Sequence, residues 1–504
     1  MSAADDPEVL VAGAGPTGLA LACALTAAGV RVRVLDRAEG PAVTSRANIL
    51  HARGAEVLDR LGALGGVREQ AVAPAGLRMY VRGEHLATMA FVPDERESVQ
   101  ALYVSQAVVE RGLRDRLAAL GVAVEWGSEV AALARRPGGV AVGTGDGTEL
   151  AAAWLVGCDG ARSRVRELAG IGFPGVPVVE RFLLADVHVD GLVDRAGGVG
   201  WYHRDGILMG IPMAEPTVGP AGRGTGNLWR LMADVPDDGR HLSADDVVAA
   251  FAGLLGTRAG LAGARIHDAV WTSVFRIQRR LADRYRSGRV LLAGDAAHVH
   301  SPFGGQGMNT GIGDAENLAW KLALVVGGGA AESLLDTYGA ERRPVAAAVL
   351  RRTTANTRAL VAPGRAARFV RDHVLIPILD RPGVQRRATR TASQLDLTYR
   401  RGPLGGRGRA PRPGDRVPDR AVVTGDGART TLTALLGPRW VLLGAVPDRA
   451  LRVLQDRLPG VVVPASDPYG TGRDALLVRP DGHLLWRGTG VAGLDRVLSA
   501  AGIG

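Results

Sequence analysis

The sequence predicts an α/β protein in several units: a β-α-β lobe, an inserted antiparallel-sheet lobe, a helical segment and a small C-terminal α/β unit. Three observations predict it. An apolar run at 8–12 leads into Gly13-Ala14-Gly15-Pro16-Thr17-Gly18 and an alanine-rich stretch closed by Gly29. Short alternating apolar runs fill 181–280, the period of half-buried strands. A Gly-, Pro- and Arg-rich stretch at 401–420 reads as a linker before a last unit at 421–504. The first lobe is expected to span 1–180 and to resume at 281–400 after the inserted sheet.

Composition narrows the class. A chain of 504 residues predicts about three domains, and 46% hydrophobic against 22% charged residues is a globular balance. No apolar run is long enough to cross a bilayer, and the acidic start, Met1 to Glu8, does not read as a secretory leader. Two cysteines, Cys23 and Cys158, exclude a disulfide scaffold and a Cys-rich metal site, so a reducing cytoplasm is the expected compartment. The net charge of +10 invites a nucleic-acid reading. However, all the basic residues but Lys321 are arginines spread among acids, and the densest basic stretch lacks aromatics. No nucleic-acid partner is expected. Lys321 sits in Ala-Trp-Lys-Leu, so there is no Walker A loop. No Gly-x-Ser-x-Gly elbow and no His-Glu-x-x-His helix occurs.

Each element has its own reason. After the first glycine turn, 31–35 reads as a second strand ending at Asp36. Residues 108–120 read as a helix, 122–126 as a strand, and Gly145-Asp146-Gly147 as a hairpin turn. Residues 154–158 are an apolar strand ending in Asp159-Gly160. The inserted sheet is read at 182–189, 200–213, 227–235 and 268–277. A buried strand at 289–293 ends in Gly294-Asp295, and 314–326 and 330–395 read as mainly helical. The last unit shows a hairpin around Gly425-Asp426-Gly427, a strand at 440–443, a helix at 448–458, a strand at 461–463, a strand-turn-strand at 476–486 and a final helix.

The chemistry is carried by glycine. Gly13 permits the tight turn, Gly15 lets the backbone approach a pyrophosphate, and Gly18 lets helix and strand pack closely. Pro16 and Thr17 open a helix whose N-terminus favours an anion. Asp36, 23 residues after Gly13, can accept hydrogen bonds from ribose hydroxyls, with Arg37 beside it. That unit alone does not separate NAD from FAD. Two later stretches do: Cys158-Asp159-Gly160-Ala161-Arg162-Ser163-Arg164, and the run from Arg289 through Gly294-Asp295-Ala296-Ala297-His298 and Pro302 to Gly304-Gly305-Gln306-Gly307-Met308-Asn309.

With all three motifs in order, the chain resembles the FAD-dependent aromatic hydroxylases, the single-component flavoprotein monooxygenases, over roughly residues 8–400. The resemblance implies a Rossmann-like FAD-binding lobe with an inserted substrate-binding sheet. It implies that Asp295 meets the ribityl chain, that Asp159 serves flavin and nicotinamide, and that Pro302, Gly305, Gly307, Met308 and Asn309 surround the ring. Arg46 and Gln106 match positions contacting the pyrophosphate and ribityl chain, and Val130 a strand packed on the adenine. The family more often has Glu where Asp36 stands, so Asp36 needs a closer approach. Residues 421–504 resemble the thioredoxin-like domain of the polyketide and phenol hydroxylase branch. No cysteine lies there, so a Cys-x-x-C redox pair is excluded.

The implied reaction uses NADPH or NADH to reduce FAD, O₂ to form a flavin C4a-hydroperoxide, and an electron-rich aromatic ring, expected to be polycyclic and polyketide-like, to receive one oxygen. The expected partner is that small aromatic molecule, in a monomer or homodimer with no membrane contact. Trp201, Tyr202, Met209, Trp229 and Phe275 are candidate wall residues. His203, Arg276 and His298 are candidate bases, and none is singled out. A Baeyer–Villiger reaction on the same scaffold or a non-catalytic FAD-binding protein stay open. The halogenase reading fails for want of a lysine outside the helix after the flavin loop, and a flavin-free dehydrogenase does not explain the late Gly-Asp motif.

Overall fold

The computed structural model describes residues 6–43, 47–91, 99–192, 194–214, 227–301, 304–362, 364–444, 448–458, 462–466 and 474–504. Its first sheet orders the strands Arg286–Ser287, Val290–Leu292, Trp154–Gly157, Val9–Ala12, Val32–Leu35 and Val124–Glu125. All neighbours run parallel except the first pair. A parallel sheet covered on both faces needs strands apolar on both sides, which is why Val-Leu-Val-Ala and Trp-Leu-Val-Gly are continuous runs, buried throughout.

Two helices cover this sheet at the motifs. The helix Pro16–Ala27 starts with proline at its first position, where a missing N–H costs nothing. The 21-residue helix Gln306–Val326 packs on it. Sequence reading began that helix at 314; the structure begins it inside the glycine motif, because Gly305 takes the left-handed conformation (φ +62°) that turns the chain into it.

The second sheet has eight strands, ordered His298–Val299, Arg265–Leu281, Gly175–Asp190, Leu228–Val235, Gly206–Pro212, Gly198–His203, Gly76–Val81 and Glu84–Ala90. It exceeds the expected 181–280 insert. The hairpin at 76–90 joins its edge, with Gly76–Val81 parallel to Gly198–His203. Pairing between distant segments leaves no local trace in a sequence, so the expected first lobe of 1–180 includes a hairpin that the fold gives to the second sheet. One face packs on the helix Ala244–Thr257, which begins with a reciprocal Ser243–Asp246 capping box. The other face meets Leu360, Val361 and Ile376 of the helical segment.

The C-terminal unit is a six-stranded sheet ordered Arg429–Thr431, Ala421–Thr424, Val462–Ser466, Trp440–Leu443, Ala475–Val478 and Leu484–Gly488. The helix Asp448–Arg457 lies in sequence between the one parallel pair, and Val491–Ala500 closes the chain. The stretch 401–420 is not a loose tether. Gly414 N–H donates to Leu484 O at 2.7 Å, Leu484 N–H to Asp415 O at 2.8 Å and Val417 N–H to Gly482 O at 2.9 Å, while Arg416 reaches Glu56 at 3.1 Å. Its glycines and prolines shape an ordered strap.

Contact between the two motif helices depends on missing Cβ atoms. A Cβ on Gly311 would lie 2.2 Å from Thr17 Oγ1. Gly311→Ala is therefore expected to cost about 1–3 kcal/mol, as overpacking does. Thr17→Ala in that background should recover most of it, a non-additivity readable by urea unfolding of both singles and the double.

Candidate functional site

Three chain turns meet at one end of the parallel sheet. Gly13 (φ +106°) follows the first strand, and a Cβ there would strike Cys158 O at 2.4 Å. A Cβ on Gly18 would strike Gly13 O at 1.9 Å. The first two motifs therefore touch backbone to backbone, and the Cys158 Cβ lies 3.2 Å from where a Cβ on Gly18 would stand. Thr17 joins the third, because a Cβ on Gly294 would lie 2.5 Å from its Oγ1. Arg166, buried, links the second motif to the third: its guanidinium donates to Ala296 O at 3.0 Å and Ala161 O at 3.1 Å.

Around this junction lie polar groups that the protein leaves unused. Gly15 begins the first motif helix with no side-chain cap, and an added Cβ there would meet nothing within 4 Å. Gly305 likewise starts Gln306–Val326 with no side-chain cap. Two helix N-termini thus present N–H groups and positive dipole ends. Asp159 Oδ2 accepts from Val165 N–H at 3.0 Å, but its buried Oδ1 has no hydrogen-bond partner among the described residues. Burial raises the Asp159 carboxyl above the usual range, more than the hydrogen bonds from Ser163 and Val165 lower it. Asp36 accepts from Ala14 N–H at 2.6 Å and Ala38 N–H at 2.9 Å, so the acid at the end of the second strand sits against the glycine turn.

Residues 6–353 match the family described as FAD binding domain, and residues 410–501 match the aromatic-ring hydroxylase C-terminal family. The chain belongs to the FAD-dependent aromatic-ring hydroxylases. It is an FAD-dependent monooxygenase. Over 96% of its length it is 37% identical to a 6-methylpretetramide 4-monooxygenase from Streptomyces rimosus, of which it covers 91%. Among solved structures it resembles an anhydrotetracycline hydroxylase from Streptomyces rimosus with TM-score 0.82, 36% identity and 98% and 99% of the two chains covered. It also resembles a ternary complex of aklavinone-11 hydroxylase with FAD and aklavinone, with TM-score 0.80, 27% identity and 100% of each chain covered.

The monooxygenase's own groups fit a dinucleotide of that kind. The open side of Gly15 has room for a pyrophosphate, and two uncapped helix ends and an orphaned carboxylate oxygen await polar partners. Gln106 opens the helix Gln106–Ala119 and donates to Glu110 at 2.8 Å. Val130 is buried at the start of its strand, and Ser128 N–H, two residues earlier, donates to Asp36 O at 2.8 Å. Arg37 is on the surface, 3.7 Å from Glu129. Asp295 is exposed in the turn Gly294–Ala296. Met308 is buried, and Gly307 lies beside His300, whose ring is 3.8 Å from where a Cβ would stand. Asn309 is buried as a staple: its amide oxygen accepts from His51 N–H at 2.8 Å, and its amide donates to Ile49 O at 2.9 Å and Gly305 O at 2.8 Å. Arg46 and Pro302 lie outside the described residues.

The three candidate bases do not gather here. His203 stands at a surface turn beside Asp205, and Arg276 is an exposed partner of Asp237 at 2.7 Å. His298 is fully buried, with Nε2 2.6 Å from Asp314. The wall candidates divide, because neighbours in a strand point to opposite faces. Trp201 and Trp229 are buried against the helix Ala244–Thr257, on the core face; Tyr202, Met209 and Phe275 share the other face.

Sequence reading missed His51, Gln306 and Gln394. His51 Nε2 donates to Gly304 O at 2.7 Å, and burial pushes its pKa down to about 4, so it acts as a neutral donor holding the glycine loop. Gln394 donates to Gln306 Oε1 at 2.6 Å, and Gln306 donates to Ala392 O at 2.9 Å. Gln306 stands inside the third motif run, but no motif spacing marks His51 or Gln394; only the fold brings 51, 306 and 394 together. A cavity of about 380 Å³ opens elsewhere, between the motif helices and the C-terminal unit, lined by Ala24, Leu61, Trp320 and Trp440 among others.

Gly15 offers a clean separation of fold from ligand. Its φ of −73° is open to any residue, so Gly15→Val should leave the apoprotein melting temperature unchanged. The same variant should purify colourless, with FAD content below about a tenth of wild type, because the side chain fills the space a pyrophosphate needs. Absorbance at the flavin band and a melt of the apoprotein read both outcomes.

Proposed function

We propose that this chain hydroxylates a polycyclic, polyketide-like phenol, using NADPH or NADH as electron donor and O₂ as oxygen source. The observation that carries the reading is the convergence of Gly13–Gly18, Asp159, Gly294–Ala296 and the start of the helix Gln306–Val326 at one end of the parallel sheet, beside a second sheet that carries an apolar face. When bound, FAD would supply the reduction by nicotinamide and the activation of dioxygen. The chain's residues bind, orient and dry that reaction. The N-terminal turns of Pro16–Ala27 and Gln306–Val326 would hold the pyrophosphate and the polar edge of the flavin, and Asp295 the ribityl hydroxyls. Asp36 and Val130 would flank the adenosine, with Arg37 and Gln106 nearby and Arg46 and Pro302 in the roles that the family resemblance gives them.

Tyr202 gives the substrate side a polar anchor. It is buried on the face shared with Met209, Phe275 and Phe182, and its hydroxyl has no hydrogen-bond partner among the described residues. Burial holds the phenol up at about 12, so it stays a neutral donor. An unsatisfied buried hydroxyl costs about 1–3 kcal/mol, which a substrate carbonyl or hydroxyl would recover. Trp201 and Trp229 fall out of the wall, and no general base is assigned. The domain division proposed is a flavin lobe of 1–75, 91–174 and 282–400, a sheet lobe built on 76–90 and 175–281, a strap at 401–420, and a C-terminal unit read as thioredoxin-like from its β-α-β then β-β-α order.

Aerobic turnover with tricyclic and tetracyclic phenols tests the reading. The expected result is substrate-stimulated NADPH or NADH oxidation and a product heavier by one oxygen atom, labelled from ¹⁸O₂ on a ring carbon. A lactone or ester product, or faster coupled turnover of simple phenols, would overturn it. Tyr202→Phe should raise KM for the accepted substrate about fivefold with kcat within twofold, since one neutral hydrogen bond is worth about 1 kcal/mol.

A further inference from the structure

The C-terminal unit lacks cysteine, yet it sends one charged turn into the core of the flavin lobe. Arg479 and Asp481 are fully buried, as are Glu341 of the helix Asp336–Val361 and Lys321 of Gln306–Val326. Arg479 forms a two-pronged pair with Glu341, at 2.8 and 3.1 Å, and also pairs with Asp481. Asp481 accepts from Trp320 Nε1 at 3.2 Å and Asn317 Nδ2 at 3.3 Å. Asn317 and Lys321 in turn donate to Glu341 at 2.7 and 2.8 Å. One residue along from Glu341, Arg342 donates to Asp314 at 2.7 Å and to Thr310 O at 2.9 Å. Asp314 accepts from Gly294 N–H at 3.1 Å. Two clusters of buried polar contacts, joined along the backbone from Glu341 to Arg342, thus connect the C-terminal turn to the Gly294 turn and to the first turns of Gln306–Val326.

We propose that the C-terminal unit positions the cofactor site: the turn 479–483 fixes the axial and rotational setting of the helix Gln306–Val326, and so the aim of its uncapped N-terminus. The physical ground is desolvation. Burial alone would push Glu341 up, but Arg479 and Lys321 beside it hold its carboxyl at about 2. Without Arg479, the carboxylates of Glu341 and Asp481 oppose each other at the seam with Lys321, 2.8 Å from Glu341, as the remaining ion-pair partner of Glu341 among the described residues, and the helices must shift or admit water to relieve them. Such a shift moves Asn317 and Lys321, and through Arg342 also Thr310 and Asp314. Arg479 and Asp481 are positioning residues, since neither reaches the motif turns directly. The inference rests on FAD binding and not on the choice of substrate, so the hydroxylation assay can fail without touching it.

The test uses the full-length protein and titrates apoprotein with FAD. Arg479→Met should raise the FAD Kd about tenfold, in the range measured for coupling through such networks, and should alter the visible circular dichroism of the bound flavin. Arg457→Met is the control. Arg457 pairs with Asp495 at 2.7 Å and bonds Ile503 O at 2.9 Å within the C-terminal unit. It should lower the melting temperature and leave the FAD Kd within twofold. An Arg479→Met protein that melts lower yet binds FAD as tightly as wild type, or an Arg457→Met protein that loses affinity equally, overturns the proposal. If Arg479→Met does not fold, Trp320→Phe decides instead. It keeps an aromatic ring and drops the bond to Asp481; about threefold weaker FAD binding supports the proposal and an unchanged Kd overturns it.

Discussion

The structure depends on glycine backbone lying against neighbouring backbone or the Thr17 hydroxyl where a Cβ has no room. Gly13 lies on the Cys158 carbonyl, Gly18 on the Gly13 carbonyl, and Gly294 and Gly311 on the Thr17 hydroxyl. A Cβ at any of the four would sit 1.9 to 2.5 Å from its neighbour. Because these contacts are at van der Waals closeness, the three turns cannot drift independently, and their polar groups are held at one end of the sheet. Gly15 is the exception that gives this packing its purpose: it lies in the same motif but faces open space.

Around that junction the chain spends buried charge freely. Asp314 holds Gly294, His298 and Arg342, and Glu341 holds Arg479, Lys321 and Asn317. Buried ion pairs are a poor means of gaining stability, since desolvation offsets much of the attraction. They are a good means of fixing geometry, because a partly broken pair leaves a charge that nothing nearby can satisfy. The network joins the two long helices, the Gly294 turn and the C-terminal unit, so elements distant in sequence share one setting.

Motif logic carried far into the site because each motif is local. Strand, glycine turn and helix are contiguous in residues 8–29, and an acid at the end of the next strand has only one place to go in a β-α-β unit. The same local reading separated short alternating strands from continuous parallel ones. It ran out where contacts are long-range. His298 looked like a base because histidine titrates near neutrality, but its environment is Asp314, contributed from 16 residues away by a different element. Trp201 and Tyr202 looked alike as wall residues, though strand alternation already required that only one of them face a given side.

Composition and motif order by themselves determined the class, the nucleotide lobe, the absence of a Cys-x-x-C pair and the positions of the glycines, because each is a property of neighbouring residues. Tertiary structure decided the rest: that the hairpin at 76–90 joins the inserted sheet, that the strap at 401–420 is ordered, which face each aromatic takes, and that Arg479 meets Glu341. Those outcomes are pairings between segments tens to hundreds of residues apart. Their energy comes from desolvation and packing that exist only after the chain has closed upon itself.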